Sequence, residues 1–201
     1  MSTARREAPI SATARAATAP LRRFGEGAVA TPANAITVAR LLLTVPTLVL
    51  IAKGGASWPA VALWLVLSCT DGVDGWLARR DGTTRSGAFL DPLADKILVI
   101  GGFVALGVRG DISWIPVLLI VGREAGIQVY RSLAGRRGIS LPARQLGKWK
   151  TTLQFVAVGA FLLPPLEDVV WLQQTVLWVA VALTLLSALD MLRRGWQETR
   201  A

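Results

Sequence analysis

The chain has 201 residues, 53% of them hydrophobic, with a formal charge of +9, and its mean hydropathy is +0.49. That is more apolar than an ordinary soluble domain of this length and reads as a polytopic membrane protein. A single cysteine, Cys69, excludes an intramolecular disulfide and any multi-cysteine metal site, and the absence of histidine excludes every mechanism that needs imidazole.

Residues 1–30 are rich in Ala, Arg, Ser, Thr and Pro and lack the continuous apolar core of a secretory signal peptide. They read as a flexible basic tail, although their Arg-rich, acid-poor composition also fits a mitochondrial transit peptide. A lead-in, Thr31-Pro-Ala-Asn-Ala-Ile-Thr-Val-Ala-Arg40, has Pro and Asn placed to start a helix. Six apolar segments follow, at approximately 36–53, 58–80, 88–108, 112–132, 145–165 and 171–192. Each is long enough to cross about 30 Å of hydrocarbon at a rise of about 1.5 Å per residue. The fold expected is all-α, with six transmembrane helices in one membrane domain over 31–192 and a short tail at 193–201. No internal repeat and no second domain is expected.

The basic residues sit between the apolar segments and not on a nucleic-acid-binding motif, so the membrane surface and anionic substrates are the indicated partners and nucleic acid is not. With six spans, one side carries Arg5, Arg6, Arg15, Arg22, Arg23, Arg79, Arg80, Arg85, Arg131, Arg136, Arg137, Arg144, Lys148, Lys150, Arg193, Arg194 and Arg200. The other carries only Lys53 and Arg109, which puts both termini and the basic loops in the cytoplasm. Trp58, Trp114 and Trp171 open segments on the outer side and Trp76, Trp149 and Trp196 lie near the inner side, as interfacial belts. Arg40, Lys96 and Arg123 remain inside spans.

Four carboxylates stand among the apolar residues of the second and third segments. Asp71 and Asp74 are spaced i, i+3 and Asp91 and Asp95 i, i+4, so each pair shares a helix face. The short connection makes their two helices antiparallel neighbours, and all four acids then meet in the cytoplasmic half of the membrane. Uncompensated, they would repel one another and be costly to desolvate. One or two divalent cations remove that conflict, and hard oxygen donors favour Mg²⁺ or Mn²⁺, which commonly grip phosphates. Gly72, Gly75 and Ala78 leave one helix surface bare, for helix packing or for a flat ligand. Arg79 is placed to clamp phosphate oxygens or to act as a topology signal, with Thr84 beside it at the cytoplasmic mouth.

The pattern Asp71-x-x-Asp74-Gly75-x-x-Ala78-Arg79, seven residues, then Gly87-x-x-x-Asp91-x-x-x-Asp95 resembles the signature of the CDP-alcohol phosphotransferase superfamily at every fixed position. The resemblance implies metal ligation by Asp71, Asp74, Asp91 and Asp95, with Asp95 also the catalytic base. It implies that Gly75, Ala78, Arg79 and Thr84 contact the CDP-linked donor and that Asn34 and Thr37 reach its nucleotide. It further implies a polar cavity open to the cytoplasm and a homodimer in the bacterial inner membrane.

The acceptor is read elsewhere. Phe89-Leu-Asp-Pro-Leu-Ala-Asp-Lys-Ile-Leu-Val99, Gly122-Arg-Glu124 and Gly147-Lys-Trp-Lys-Thr-Thr-Leu-Gln154 resemble the bacterial phosphatidylglycerophosphate synthases, which join CDP-diacylglycerol to sn-glycerol 3-phosphate. A phosphorylated acceptor needs cations, and Arg123, Arg144, Lys148 and Lys150 are the candidates, Arg144 and Lys148 being spaced i, i+4. For Arg123 a structural pair with an acid on another helix is the competing reading, and Glu124 is open between orienting Arg123 and bonding the glycerol hydroxyls. Arg136 and Arg137 read as a solvated positive-inside loop. Sister enzymes with another acceptor, a cardiolipin synthase or a phosphatidylinositol phosphate synthase, share the motif. An ion transporter with intramembrane acids is the alternative of a different class.

Overall fold

A computed structural model describes residues 32–81, 85–136 and 145–200, with the side chains at 32, 33, 71–92, 145, 146, 148 and 197–200 outside the description. Among the described residues the chain is all-helical. The helices are α1 (Pro32–Lys53), α2 (Trp58–Asp81), α3 (Arg85–Arg109), α4 (Trp114–Arg136), α5 (Gln145–Leu162) and α6 (Val170–Arg200), with one 3-10 turn at Pro164–Leu166. They follow the six expected segments closely. α5 stops at Leu162 because the Pro164-Pro165 pair cannot continue it, and Leu163, ahead of the first proline, is extended. α6 runs on through 193–200, so the segment expected as a tail continues the last helix.

Two of the six are long and apolar enough to cross a membrane, at Asn34–Lys53 and Val170–Trp196. The others hold charged groups among their apolar residues, such as Asp95 and Lys96 in α3 and Arg123 and Glu124 in α4, which lowers their hydropathy. The six-span expectation is thus met as six helices and, by length and apolarity, as two spans.

The pattern of burial is that of a protein in lipid. On α1 the inward face is Asn34, Thr37, Arg40, Thr44, Thr47 and Ile51, while Val38, Leu42, Leu43, Val45 and Val49 point outward. On α6 the buried positions include Gln173, Thr184 and Ser187, and Trp178, Val179, Leu185, Leu186 and Leu189 are exposed. Polar groups inside and apolar groups outside is the reverse of a soluble helix and suits a chain whose solvent is hydrocarbon. Thr44 and Thr47 satisfy their hydroxyls on the Arg40 and Leu43 carbonyls of their own helix, each at 2.8 Å.

Small residues on α3 set the packing. A Cβ at Gly102 would stand 2.8 Å from the Trp64 ring of α2 and 3.1 Å from Val158 of α5, and one at Gly101 would collide with Leu48 of α1. The pair therefore lets three helices close on α3. Trp64 is fixed there, its indole N–H donating to the Phe155 carbonyl at 3.1 Å and its ring 5.6 Å from that of Phe155. Around them Ile51, Leu67, Leu98, Phe103, Leu106, Ile120, Leu162 and Leu177 complete one core. α1 packs extensively on both α2 and α3, whereas α2 and α3, expected from their short connection to be close neighbours, touch little among the described residues.

The C-terminal ends of α1, α3 and α5 meet at one end of the bundle under a single side chain. The Arg109 guanidinium donates to the Gly54 carbonyl at 3.1 Å, to Phe161 at 3.1 Å and to Ile51 at 3.4 Å, and pairs with Asp111. A cation over converging carbonyls is favourable by charge and by helix dipole. α3 itself ends on Gly110 at φ +89°, with the Asp111 and Gly110 amides both donating to the Leu106 carbonyl, so the left-handed residue turns the chain back toward α4.

Candidate active site

The acidic motif lies at the end of the bundle away from Arg109. Asp71 and Asp74 stand in the last turns of α2, and Asp91 and Asp95 in the early turns of α3. The alternating course of the helices brings the end of α4 and the start of α5 to the same end. The side chains of Asp71, Asp74, Gly75, Ala78, Arg79, Asp91 and Lys148 lie outside the described set, as do residues Thr84 and Arg144 altogether. Asp95 is described and is partly buried. Its neighbour Lys96 donates to the Gln128 amide oxygen of α4 at 2.6 Å, which ties the motif helix to the helix carrying Arg123.

Six side chains, two each from α4, α5 and α6, form a polar network inside the bundle. Arg123 donates from Nε to the Thr184 carbonyl at 3.1 Å, from Nη2 to the Ser187 hydroxyl at 2.7 Å and from Nη1 to Glu124 Oε1 at 3.0 Å. Lys150 pairs with that same Oε1. One turn further along α5, Gln154 donates to the Thr184 hydroxyl at 3.0 Å. The Arg123, Glu124 and Lys150 side chains are only 8%, 12% and 9% exposed. Two buried cations share one carboxylate, so the cluster retains positive charge in a low-dielectric setting where an uncompensated charge is costly. Lys96 lies within electrostatic reach of Lys150. Such a cluster can receive an anion.

Of the residues expected to hold an acceptor phosphate, Arg123 and Lys150 are thus brought together, and Glu124 joins them. The acid that pairs with Arg123 is Glu124 of its own helix and not one on another helix, and what another helix offers it is the Thr184 carbonyl and the Ser187 hydroxyl. Asn34 and Thr37, expected near the donor's nucleotide, are buried on the inward face of α1. Arg40 continues that face one turn on and is 2% exposed. Sequence reasoning left Arg40 without a role, although its spacing from Thr37 and Thr44 placed it on the polar side of the helix. Thr184 and Ser187 were also missed, and their only signal was a pair of hydroxyls at i, i+3 in the otherwise apolar stretch 176–189 of the last helix.

A cleft of about 430 Å³ opens at the opposite end, lined by Lys53, Arg109, Asp111 and Glu167 among others. It contains no residue of the acidic motif or of the Arg123 cluster, and the motif's chemistry outweighs its size as a guide to the site.

Among the described residues no three His, Cys, Asp or Glu side chains stand together as metal ligands, and the side chains of Asp71, Asp74 and Asp91 lie outside the described set. The donor set itself, four carboxylates, suits a hard divalent cation.

A family model described as CDP-alcohol phosphatidyltransferase matches residues 30–186. A Mycobacterium tuberculosis (strain ATCC 25618 / H37Rv) protein named "Probable phosphatidylglycerophosphate synthase" is 36% identical over 180 residues, spanning 87% of this chain and 86% of the relative. Proteins named CDP-diacylglycerol-glycerol-3-phosphate 3-phosphatidyltransferase from Bacillus subtilis (strain 168) and Pseudomonas fluorescens are each 34% identical, covering 83% of this chain and 96% and 91% of their own lengths. The family is generally dependent on a divalent metal. The matched span contains the whole acidic motif, the Arg123 cluster and the inward face of α1, and the chain belongs to the CDP-alcohol phosphatidyltransferase family.

Proposed function

We propose that this protein transfers a phosphatidyl group from CDP-diacylglycerol to sn-glycerol 3-phosphate, releasing phosphatidylglycerophosphate and CMP. The observation that carries the proposal is the likeness, over more than four fifths of the chain, to relatives named for that reaction. The net-positive cluster of Arg123, Glu124 and Lys150 supports it, because a phosphorylated acceptor is what such a cluster would favour.

In this reading Asp71, Asp74, Asp91 and Asp95 hold one or two divalent ions, Mg²⁺ or Mn²⁺, and a bound ion supplies neutralisation of the donor diphosphate. Gly75, Ala78, Arg79, Thr84, Asn34 and Thr37 bind the donor. Arg123, Arg144, Lys148 and Lys150 receive the acceptor's phosphate and hold its hydroxyl toward the donor. The Asp95 carboxylate takes the proton of that hydroxyl as its oxygen bonds to the phosphorus nearer the lipid. The bond from that phosphorus to the bridging oxygen breaks, and CMP leaves with the electron pair. No covalent enzyme intermediate is required.

The same reading takes all six helices of the domain over 31–192 as spans of a bacterial inner membrane, with both termini and a polar cavity on the cytoplasmic side. The excess of Lys and Arg on one side supports that orientation. Residues 1–30 form a basic tail, and the enzyme works as a homodimer. Donor enters from the bilayer, and acceptor and CMP exchange with water.

The test is CMP release by purified protein with CDP-diacylglycerol and Mg²⁺ or Mn²⁺, comparing glycerol 3-phosphate, inositol phosphate and phosphatidylglycerol. Release with glycerol 3-phosphate alone is expected. Release with another acceptor instead would keep the acidic site and overturn the acceptor, and no release with any of them would reopen an ion-transport role.

A further inference from the structure

Among its described residues the last helix contributes no buried acid or base. Between Val170 and Leu189 it has no charged residue. It nevertheless meets the Arg123 guanidinium along one whole edge. Nε and Nη2 present parallel N–H bonds on that edge, and α6 answers with the Thr184 carbonyl at 3.1 Å and the Ser187 hydroxyl at 2.7 Å.

Ser187 is oriented for this task. Its one hydroxyl hydrogen is donated to the Thr184 carbonyl at 2.8 Å, so its lone pairs are left to accept from Arg123. Both side chains are shielded, Ser187 being 5% exposed, and the preference for a fixed geometry is correspondingly strong. With the Nε/Nη2 edge held by α6, the Nη1 corner is directed at Glu124, which in turn holds Lys150. The chain of contacts therefore runs from an uncharged turn of α6 to both buried cations.

We infer that Ser187 is a positioning residue for the anionic acceptor, acting through Arg123 to set where the Arg123–Glu124–Lys150 cluster presents its positive charge. The inference rests on the acceptor reading proposed above. It implies that the hydroxyl at 187 governs use of glycerol 3-phosphate and leaves use of the lipid donor alone.

The experiment compares Ser187→Thr with Ser187→Val, two side chains of nearly equal volume that differ by the hydroxyl. Steady-state CMP release is measured in the full-length protein with each substrate varied in turn. Ser187→Val is expected to raise KM for glycerol 3-phosphate about tenfold relative to Ser187→Thr, with KM for CDP-diacylglycerol the same within about twofold, since a hydrogen bond to a charged group is lost. In an Arg123→Lys background, which lacks the gripping edge, the Val-for-Thr difference should vanish.

Equal changes in both KM values, equal KM values in the two variants, or a Val-for-Thr difference that survives in Arg123→Lys would each overturn the inference. So would a Ser187→Val protein that simply fails to fold where Ser187→Thr folds, because the hydroxyl would then serve stability. The unsubstituted protein is assayed first. Its failure to use glycerol 3-phosphate would defeat the acceptor reading, which separates that outcome from a failure of the role given to Ser187.

Discussion

Lys150 of α5 and Arg123 of α4 meet on the same carboxylate oxygen, Oε1 of Glu124. The acid is thus the joint between two helices and two cations. Glu124→Gln keeps the shape and removes the charge, leaving both cations under-compensated in a buried site. Breaking a buried pair typically costs about 3–5 kcal/mol. A marked fall in the thermal midpoint in detergent is expected, together with at least a tenfold loss of CMP release. Wild-type stability in Glu124→Gln would mean that the carboxylate does not hold the two helices together.

Asp95 is the motif acid whose side chain lies partly open beside the helix-bridging Lys96. If it takes the acceptor's proton, Asp95→Asn should abolish turnover, with a residual rate below about one hundredth as expected for loss of a general base. The thermal midpoint should change little. Retained CMP release would remove Asp95 from the role of base.

The four carboxylates at the ends of α2 and α3 should make activity dependent on a divalent ion. Chelation is expected to stop CMP release, and added Mg²⁺ or Mn²⁺ to restore it. Calcium, which prefers a larger and more irregular oxygen shell, should restore less. Full activity after exhaustive chelation would leave the acids without their proposed ligand.

Gly102 and Gly101 offer a test of the packing. The Trp64 ring that a Cβ at Gly102 would strike is buried and hydrogen-bonded, so it cannot step aside, whereas the Leu48 end that faces Gly101 is a flexible side chain. Gly102→Ala should therefore destabilise by about 1–3 kcal/mol, as overpacking does, and Gly101→Ala by less. The order of the two thermal midpoints checks this, and the reverse order would contradict the account of how α2 and α5 close on α3.

Arg109 separates stability from catalysis. Arg109→Ala uncovers the carbonyls of Gly54 and Phe161 at the far end of the bundle from the motif. A loss on the order of 2 kcal/mol is expected, from hydrogen bonds to a charged donor. The ratio of KM values for the two substrates should be unchanged in the folded fraction. A shift in that ratio would tie the two ends of the bundle together.

The sequence by itself determined the class of the protein, its helices and its chemistry. Runs of apolar residues broken by Gly, Pro and charge mark the six helices within a few residues, except for the end of the last, which runs on to Arg200, because helix length and hydropathy are local properties. The spacing of Asp71, Asp74, Asp91 and Asp95 puts each pair on one helix face, about one turn apart, and it is the resemblance of the whole pattern to the CDP-alcohol phosphotransferase signature that implies a site for a donor diphosphate. What only the tertiary structure decided is who meets whom. The partner of Arg123 could not be read from its neighbours, since Thr184 and Ser187 lie sixty or more residues away and carry no motif. Glu124 pairs with Arg123 beside it and also with Lys150 of α5, a partner that nothing in its own neighbourhood announces. Arg109 looked like one of two stray positive charges, and from the end of α3 it proves to reach the carbonyls at the ends of two other helices, α1 and α5, that no local pattern links. The broad contact of α1 with α3, where Gly101 admits it, joins two helices that no short connection links. Local periodicity fixes which face of a helix is polar; the choice of the face opposite depends on the shapes of all six helices at once.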